Sequence, residues 1–394
     1  MTKTCFLFLA ILFAFQCSAK LEPGFDKAEA KDMIAICNSF TFLDLYNDDA
    51  RILPSGYEKR YTSGTFGMDS KYQVYVKDEV AVVNFRGSTE KQLSWIQNIY
   101  ASMIPATGMM NVDGNDFEYC FAKDPLAAVH SGYALSVGFL HNELLYQIKN
   151  LNREGIYNII LTGHSQGGAI ANLFRAYLEN LPGRLLSKRN KFKTYAFATP
   201  MTGNKLFANE YNSRFGIDGT SFNIVNPADL IPTFPLNYND TSFVKDNVNS
   251  FLFGNDFSFK KMLMDGGVRM FDGKLSRLMG SVGKSANKKI SKDVSDVKLP
   301  PPVEDINYFK LESRIELSEF DYPKILKDSS ILQNDSLLQI YERGEDGYFL
   351  DHDLYKSSSW TWQHKPYNYY VEILKNWFPA EYELLKLKYL RENI

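Results

Sequence analysis

Apolar positions recur along this chain in two periods. From Asp26 to Tyr46, Met33, Ile34, Cys37, Phe40 and Leu43 fall at helical spacing, which predicts an amphipathic helix. Tyr72–Val76 and Val80–Phe85 are β-rich runs split by Lys77-Asp78-Glu79, the pattern of a hairpin. The second run is almost wholly apolar, as a strand buried on both faces of a sheet requires. Thr89–Ala101 sets Leu93, Ile96 and Tyr100 on one side, with Trp95 and Ile99 beside them, and reads as a short helix. Met103–Ala128 has no clear period and reads as irregular; it ends in Val129-His130-Ser131-Gly132-Tyr133. Helical spacing resumes over Ala134–Leu151 through Leu140, Leu144 and Ile148. Ile159–Thr162, Phe192–Ala198 and Phe222–Val225 are further strands, with a helical pattern starting at Gln166. This alternation from Ala81 to Val225 predicts a mostly parallel sheet with helices on both faces. Tyr367–Leu390 closes the chain with helical patterns rich in Tyr, Trp and Leu.

The first nineteen residues follow a different rule. Lys3 precedes an apolar core, Cys5–Phe15, and small residues follow at Ser18 and Ala19. That is the pattern of a secretory signal peptide, residues 1–19, cleaved near Ala19-Lys20; it is too short for a spanning helix. A secreted protein is expected. The composition is that of a globular protein, 45% hydrophobic and 14% aromatic, and a net charge of −2 argues against nucleic acid as a partner. Two of the four cysteines lie in the leader, leaving Cys37 and Cys120. In an exported chain these fit either one disulfide or two separate thiols. Neither has metal-ligand spacing, so neither metal nor cofactor is expected.

Candidate chemistry centres on Gly163-His164-Ser165-Gln166-Gly167, a G-x-S-x-G pentapeptide lodged between a strand and a helix. In that context Ser165 sits on a sharp, strained turn with its hydroxyl above the sheet, which marks it as a nucleophile. The N–H of Gln166, at the start of the helix, points to where an acyl oxyanion would form. A second donor is available in Ser88, in the loop Phe85-Arg86-Gly87-Ser88 at the end of a strand, where α/β proteins place ligand contacts. A nucleophilic serine also needs an imidazole base and a carboxylate to orient it, in the chain order Ser, Asp or Glu, His. Of five histidines, His130 and His141 precede the serine and His164 adjoins it, which leaves His352 and His364. His352 lies in an acidic, loop-like segment, Leu350–Tyr355; His364 lies in a Trp-rich stretch that suits packing. Asp229 follows the strand Phe222–Val225 and fits the carboxylate better than Asp218, which sits in a turn. The helix at Thr89–Ala101 ends beside the oxyanion loop, as a lid that turns its apolar face to lipid would.

Taken together, Phe85–Ser88, Ser94–Asn98, Val129–Tyr133, Thr162–Ala169, Thr194–Asn204, Asn223–Pro232 and Asp351–Tyr355 resemble class 3 lipases, the fungal-lipase-like branch of the α/β-hydrolases. The resemblance implies an α/β-hydrolase fold with Ser165 as nucleophile, Asp229 as orienting acid and His352 as base. It implies Ser88 and the Gln166 amide as the oxyanion hole, although a leucine is usual where Gln166 stands. The interval between Asp229 and His352 is longer than in compact members of the family. A largely helical insertion, 241–305, is therefore expected to divide the hydrolase domain into 20–240 and 306–394. Within it, Asp256–Lys292 sets nine lysines and arginines, interleaved with Phe, Met and Leu, against three aspartates. That composition suits peripheral contact with an anionic membrane or lipid interface as well as it suits a packed cap with solvated lysines. Pro300-Pro301-Pro302 reads as a stiff connector back to the hydrolase. The expected function is a secreted ester hydrolase of lipase or phospholipase A type, with an acylglycerol or phospholipid as substrate and an acyl-enzyme on Ser165. A lipid acyltransferase with the same triad, and a non-catalytic lipid-binding module, are the alternatives.

Overall fold

The computed structural model describes residues 21–45, 52–89, 94, 97–98, 101–235, 296–305, 307–318, 321–357 and 362–390. The leader (1–19), most of the lid stretch and the basic segment Asp256–Lys292 lie outside the described residues.

The apolar runs assemble into one seven-stranded sheet. In chain order its strands are β1 (Glu58–Thr62), β2 (Tyr72–Lys77), β3 (Val80–Phe85), β8 (Asn158–His164), β9 (Lys191–Phe197), β11 (Ser221–Val225) and β14 (Arg314–Glu316), and they lie side by side in that order. β1, β2 and β3 pair antiparallel; β3, β8, β9, β11 and β14 run parallel. All parallel strands therefore deliver their carboxyl ends to the same edge of the sheet, where open α/β sheets place their ligand sites.

Alternation along the strands sorts the core into two layers. Ala81, Val83, Ile159 and Leu161 face α2 (Ser131–Arg153) and α3 (Gln166–Asn180). Val82, Ile160, Tyr195, Phe197 and Ile224 face α1 (Lys27–Leu45) and α6 (Pro366–Trp377). Helices thus cover both faces, as expected for strands this apolar. α1 contributes Ala30, Met33, Ile34, Ile36 and Cys37 to its layer, and α6 contributes Tyr369 and Ile373. The C-terminal helical pattern is two helices rather than one, because Pro379 starts α7 (Pro379–Leu384) where α6 has ended.

Met103–Ala128 departs from the irregular segment expected. It forms β4 (Met103–Pro105), β5 (Thr107–Val112) and β6 (Asn115–Cys120), with β7 (Ala128–His130) following. β5 and β6 make a hairpin whose two-residue turn is Asp113-Gly114, both at positive φ (56° and 75°). Asp-Gly is the residue pair such a turn demands. β12 (Val297–Lys298) pairs with β5, and β4 and β7 join β10 (Gly203–Asn204) and β13 (Tyr308–Phe309) in a four-stranded sheet. α4 (Lys205–Tyr211) follows β10, and α5 (Asp335–Ile340) lies in the last third.

Cys37 and Cys120 are both free thiols. Cys37 packs under β8, with its Sγ 3.6 Å from Thr162 Oγ1, in the layer that α1 and α6 cover. Cys120 ends β6, whose Phe117 and Tyr119 pack in the opposite layer, so the main sheet separates the two. Burial pushes the Cys37 thiol up to about 12.

Candidate functional site

Ser165 is the single residue between β8 and α3, with φ 58° and ψ −128°. A non-glycine residue rarely adopts that conformation, and here the turn is fixed from every side. The Ser165 N–H donates to the Phe197 carbonyl at the end of β9 (2.8 Å), and its own carbonyl accepts from Gly168 and Ala169 in the first turn of α3. Glycines make the crossing possible. A Cβ on Gly163 would lie 2.3 Å from the Gly167 backbone, and one on Gly167 would lie 2.1 Å from the Phe85 carbonyl oxygen. Strand, turn and helix are therefore as close as bare backbone allows.

The imidazole brought to Ser165 and Asp229 is that of His364, not that of His352 expected from the sequence. The Nε2 of His364 is 2.8 Å from Ser165 Oγ, and its Nδ1 is 2.8 Å from Asp229 Oδ2. With a carboxylate accepting at Nδ1, that nitrogen carries the proton, and Nε2 is the acceptor facing the serine. Asp229 is 2% exposed; it follows β11, its N–H donates to the Asn226 carbonyl, and its Oδ1 accepts from the Ile231 N–H at 3.0 Å. His364 stands just before α6, whose first residue is Pro366, so the start of the helix presents the imidazole to the site. Trp362, fully buried, anchors the preceding loop: its carbonyl accepts from the Asn368 side chain in α6.

His352 is exposed, in the single turn His352–Leu354. Its segment is held by backbone bonds from Lys327 to Leu354 and from Lys356 to Ile325, and the ring has no bond to Ser165 or Asp229. Ordering by chain position had left two histidines, and the one in the aromatic stretch occupies the site. The available signal was Pro366, two residues on, opening an amphipathic helix.

A second layer of polar groups holds the acid and the base together. The Tyr369 hydroxyl donates to Asp229 Oδ2 (2.8 Å) and accepts from the Asn226 N–H (3.0 Å). The Asn226 side chain donates to Gln363 Oε1 and Glu372 Oε1, each at 2.6 Å, tying the loop after β11 to the loop before α6. His164 is buried against both, its ring centroid 4.8 Å from that of His364 and 5.5 Å from that of Tyr369. Burial first, and then the neighbouring His364 ring, hold the His164 imidazole well below its ordinary range, so it is neutral.

The expected oxyanion donors frame the same spot. Gln166 opens α3, so its N–H has no partner in the helix ladder. Gly87 places the Ser88 loop against Ser165: a Cβ built on Gly87 would lie 3.7 Å from the Ser165 Cβ. The Ser88 hydroxyl accepts from Asn98 Nδ2 (2.8 Å), whose Oδ1 accepts from the Tyr133 hydroxyl. His130, neutral because burial pushes it down to about 3, caps α2 through Nδ1 and donates from Nε2 to the Asn98 carbonyl. The Gln166 side chain is also accounted for. It is 3% exposed and bonds Ser94, whose hydroxyl in turn accepts from the Thr89 N–H. The glutamine that replaces the usual leucine thus ties the helix start to the lid stretch. Among the described residues no cluster of His, Cys, Asp or Glu could hold a metal ion.

Parts of the chain are similar to known lipases. Residues 82–239 match the family model Lipase (class 3), so the likeness read from the motifs is borne out over that segment. A secreted mono- and diacylglycerol lipase, LIP4 of Malassezia restricta, is 29% identical over 160 residues, covering 38% of this chain. The chain spans about half the length, 45%, of that relative. Among solved structures, a triacylglyceride lipase of Rhizomucor miehei aligns at 22% identity over 53% of this chain and 74% of its own, with a TM-score of 0.40. A lipase of Rhizopus microsporus var. chinensis aligns at 18% identity over 55% and 71%, with a TM-score of 0.39.

Proposed function

We propose that this protein is a serine ester hydrolase of lipids, with Ser165 as nucleophile, His364 as base and Asp229 as orienting acid. One observation carries the reading: an unbroken line of contacts from Ser165 Oγ through both nitrogens of His364 to Asp229, each 2.8 Å. His364 Nε2 takes the hydroxyl proton as Oγ attacks an ester carbonyl, and Asp229 stabilises the imidazolium that forms. The Gln166 N–H and Ser88 receive the oxyanion of the tetrahedral intermediate, each donor being worth roughly 10²–10³ in rate. Collapse expels the alcohol, which takes the proton from His364, and water then releases the acyl group from Ser165 by the reverse roles.

Acylglycerols are the substrate class proposed, because the Malassezia relative is named for mono- and diacylglycerols. The leader-like sequence of residues 1–19 supports secretion. The test is hydrolysis of a panel of mono-, di- and triacylglycerols and diacyl phospholipids, with released products identified for wild type, Ser165→Ala, His364→Ala and His352→Ala. Fatty acid released from acylglycerols by wild type and His352→Ala, and lost in the other two, is the expected result. Full activity in His364→Ala refutes the assignment of the base.

A further inference from the structure

A small, partly open cleft lies where the residues after β9 meet β11 and the start of β14. Asn172, Thr199, Asn223, Lys310 and Arg314 supply its polar lining, and no carboxylate is among the lining residues. Two of these groups are donors without acceptors. Asn223 is 5% exposed, its Oδ1 already accepts from Asn172 Nδ2 (2.9 Å), and its Nδ2 has no hydrogen-bond partner. Asn172 cannot supply that partner, since its Oδ1 is taken by the Tyr211 hydroxyl (3.0 Å). The guanidinium of Arg314 makes no hydrogen bond or ion pair with the described residues, and its Nε is buried. Its attractions are longer-range pulls from Glu316, two residues along β14, and from the Tyr369 ring. Burial lowers the guanidinium's pKa from its ordinary value, the mark of a cation short of compensating charge.

Buried donors without acceptors cost on the order of 1–3 kcal/mol each, and an arginine fork retains its donors for oxyanions above other ligands. We infer that this cleft binds a small oxyanion of the phosphate class, held by Arg314 and the Asn223 amide, with exposed Lys310 adding charge at the rim. The phosphate is either the free ion or the headgroup phosphate of a lipid. Ser165, Asp229 and His364 are not among the lining residues, and the inference does not depend on the hydrolase reading.

Calorimetric titration of the full chain with inorganic phosphate, at constant ionic strength near neutral pH, tests it. Saturable binding with a Kd of about 1 mM is expected, weakened at least about tenfold in Arg314→Gln and several-fold in Lys310→Gln. Lys310 is exposed, so the second variant keeps the fold and reports even where the first unfolds. Ser165→Ala binds phosphate like wild type, which separates failure here from failure of the hydrolase assignment. Flotation with phosphatidylcholine vesicles, with and without phosphatidic acid, distinguishes the sources: recruitment by phosphatidic acid that free phosphate competes away assigns the site to headgroups. No saturable heat up to about 20 mM phosphate together with no recruitment by phosphatidic acid, or Arg314→Gln titrating like wild type, overturns the inference.

Discussion

At the scale of single residues, the site separates what a local pattern can declare from what it cannot. Ser165 was legible because strand, glycine and helix all lie within a few positions of it, and Asp229 because it ends a readable strand. The histidine was not. His364 reaches Ser165 across 199 positions, and the one local signal, Pro366 opening a helix, does not record which loop returns to the sheet edge. The groups behind the triad were equally silent, since Tyr369 and Asn226 gain their roles only once α6 and β11 are adjacent. Tyr369→Phe removes one of the donors to Asp229 without changing the ring. It is expected to lower kcat by about tenfold, at little cost in KM, because the carboxylate loses a donor that fixes its orientation toward His364. Steady-state and pre-steady-state kinetics check this; an unchanged kcat assigns the tyrosine to packing alone. Cys37 gives a second residue-scale prediction. With its thiol pushed up to about 12, only about one molecule in ten thousand is thiolate at pH 8. Iodoacetamide should therefore modify the partly exposed Cys120 and spare Cys37 in the native protein, both reacting in denaturant, as peptide mass spectrometry will show.

At the scale of elements, long periodic segments were read well and short strands poorly. α1 and α2 appear within a few residues of their expected bounds because an apolar stripe over many residues leaves one arrangement. β4 to β6 were missed although Asp113-Gly114 sits between runs of suitable length. A hairpin of six-residue strands carries little periodic signal, and its turn pair was the better clue. Contacts between elements yield two further predictions. Gly167→Ala drives a Cβ into the Phe85 carbonyl where neither backbone can yield, and is expected to destabilise the fold by about 2–4 kcal/mol, measured by urea denaturation. Lys193, 3% exposed in β9, is neutralised by Glu29 of α1 at 2.6 Å, and the Tyr195 hydroxyl donates to the same carboxylate oxygen. Glu29→Ala leaves a buried cation alone and is expected to cost about 3 kcal/mol, with Glu29→Ala/Lys193→Met recovering most of it.

For the whole molecule, a mostly parallel sheet with helices on both faces followed from alternation alone, whereas the order of its strands and the pairing of the last third with the rest did not. β12, β13, β14 and α6 each find their partner in the first two thirds: β5, β10, β11 and α1 respectively. The two parts are laced through separate sheets and a helix pair, and the imidazole and the hydroxyl belong to different parts. A peptide bond severed anywhere between residues 236 and 295 would thus leave a noncovalent heterodimer rather than two inert fragments. Co-expressed as separate chains, 21–235 and 296–390 should co-purify and recover ester hydrolysis that neither half shows alone. Covalent continuity at that junction would then matter for assembly speed more than for turnover.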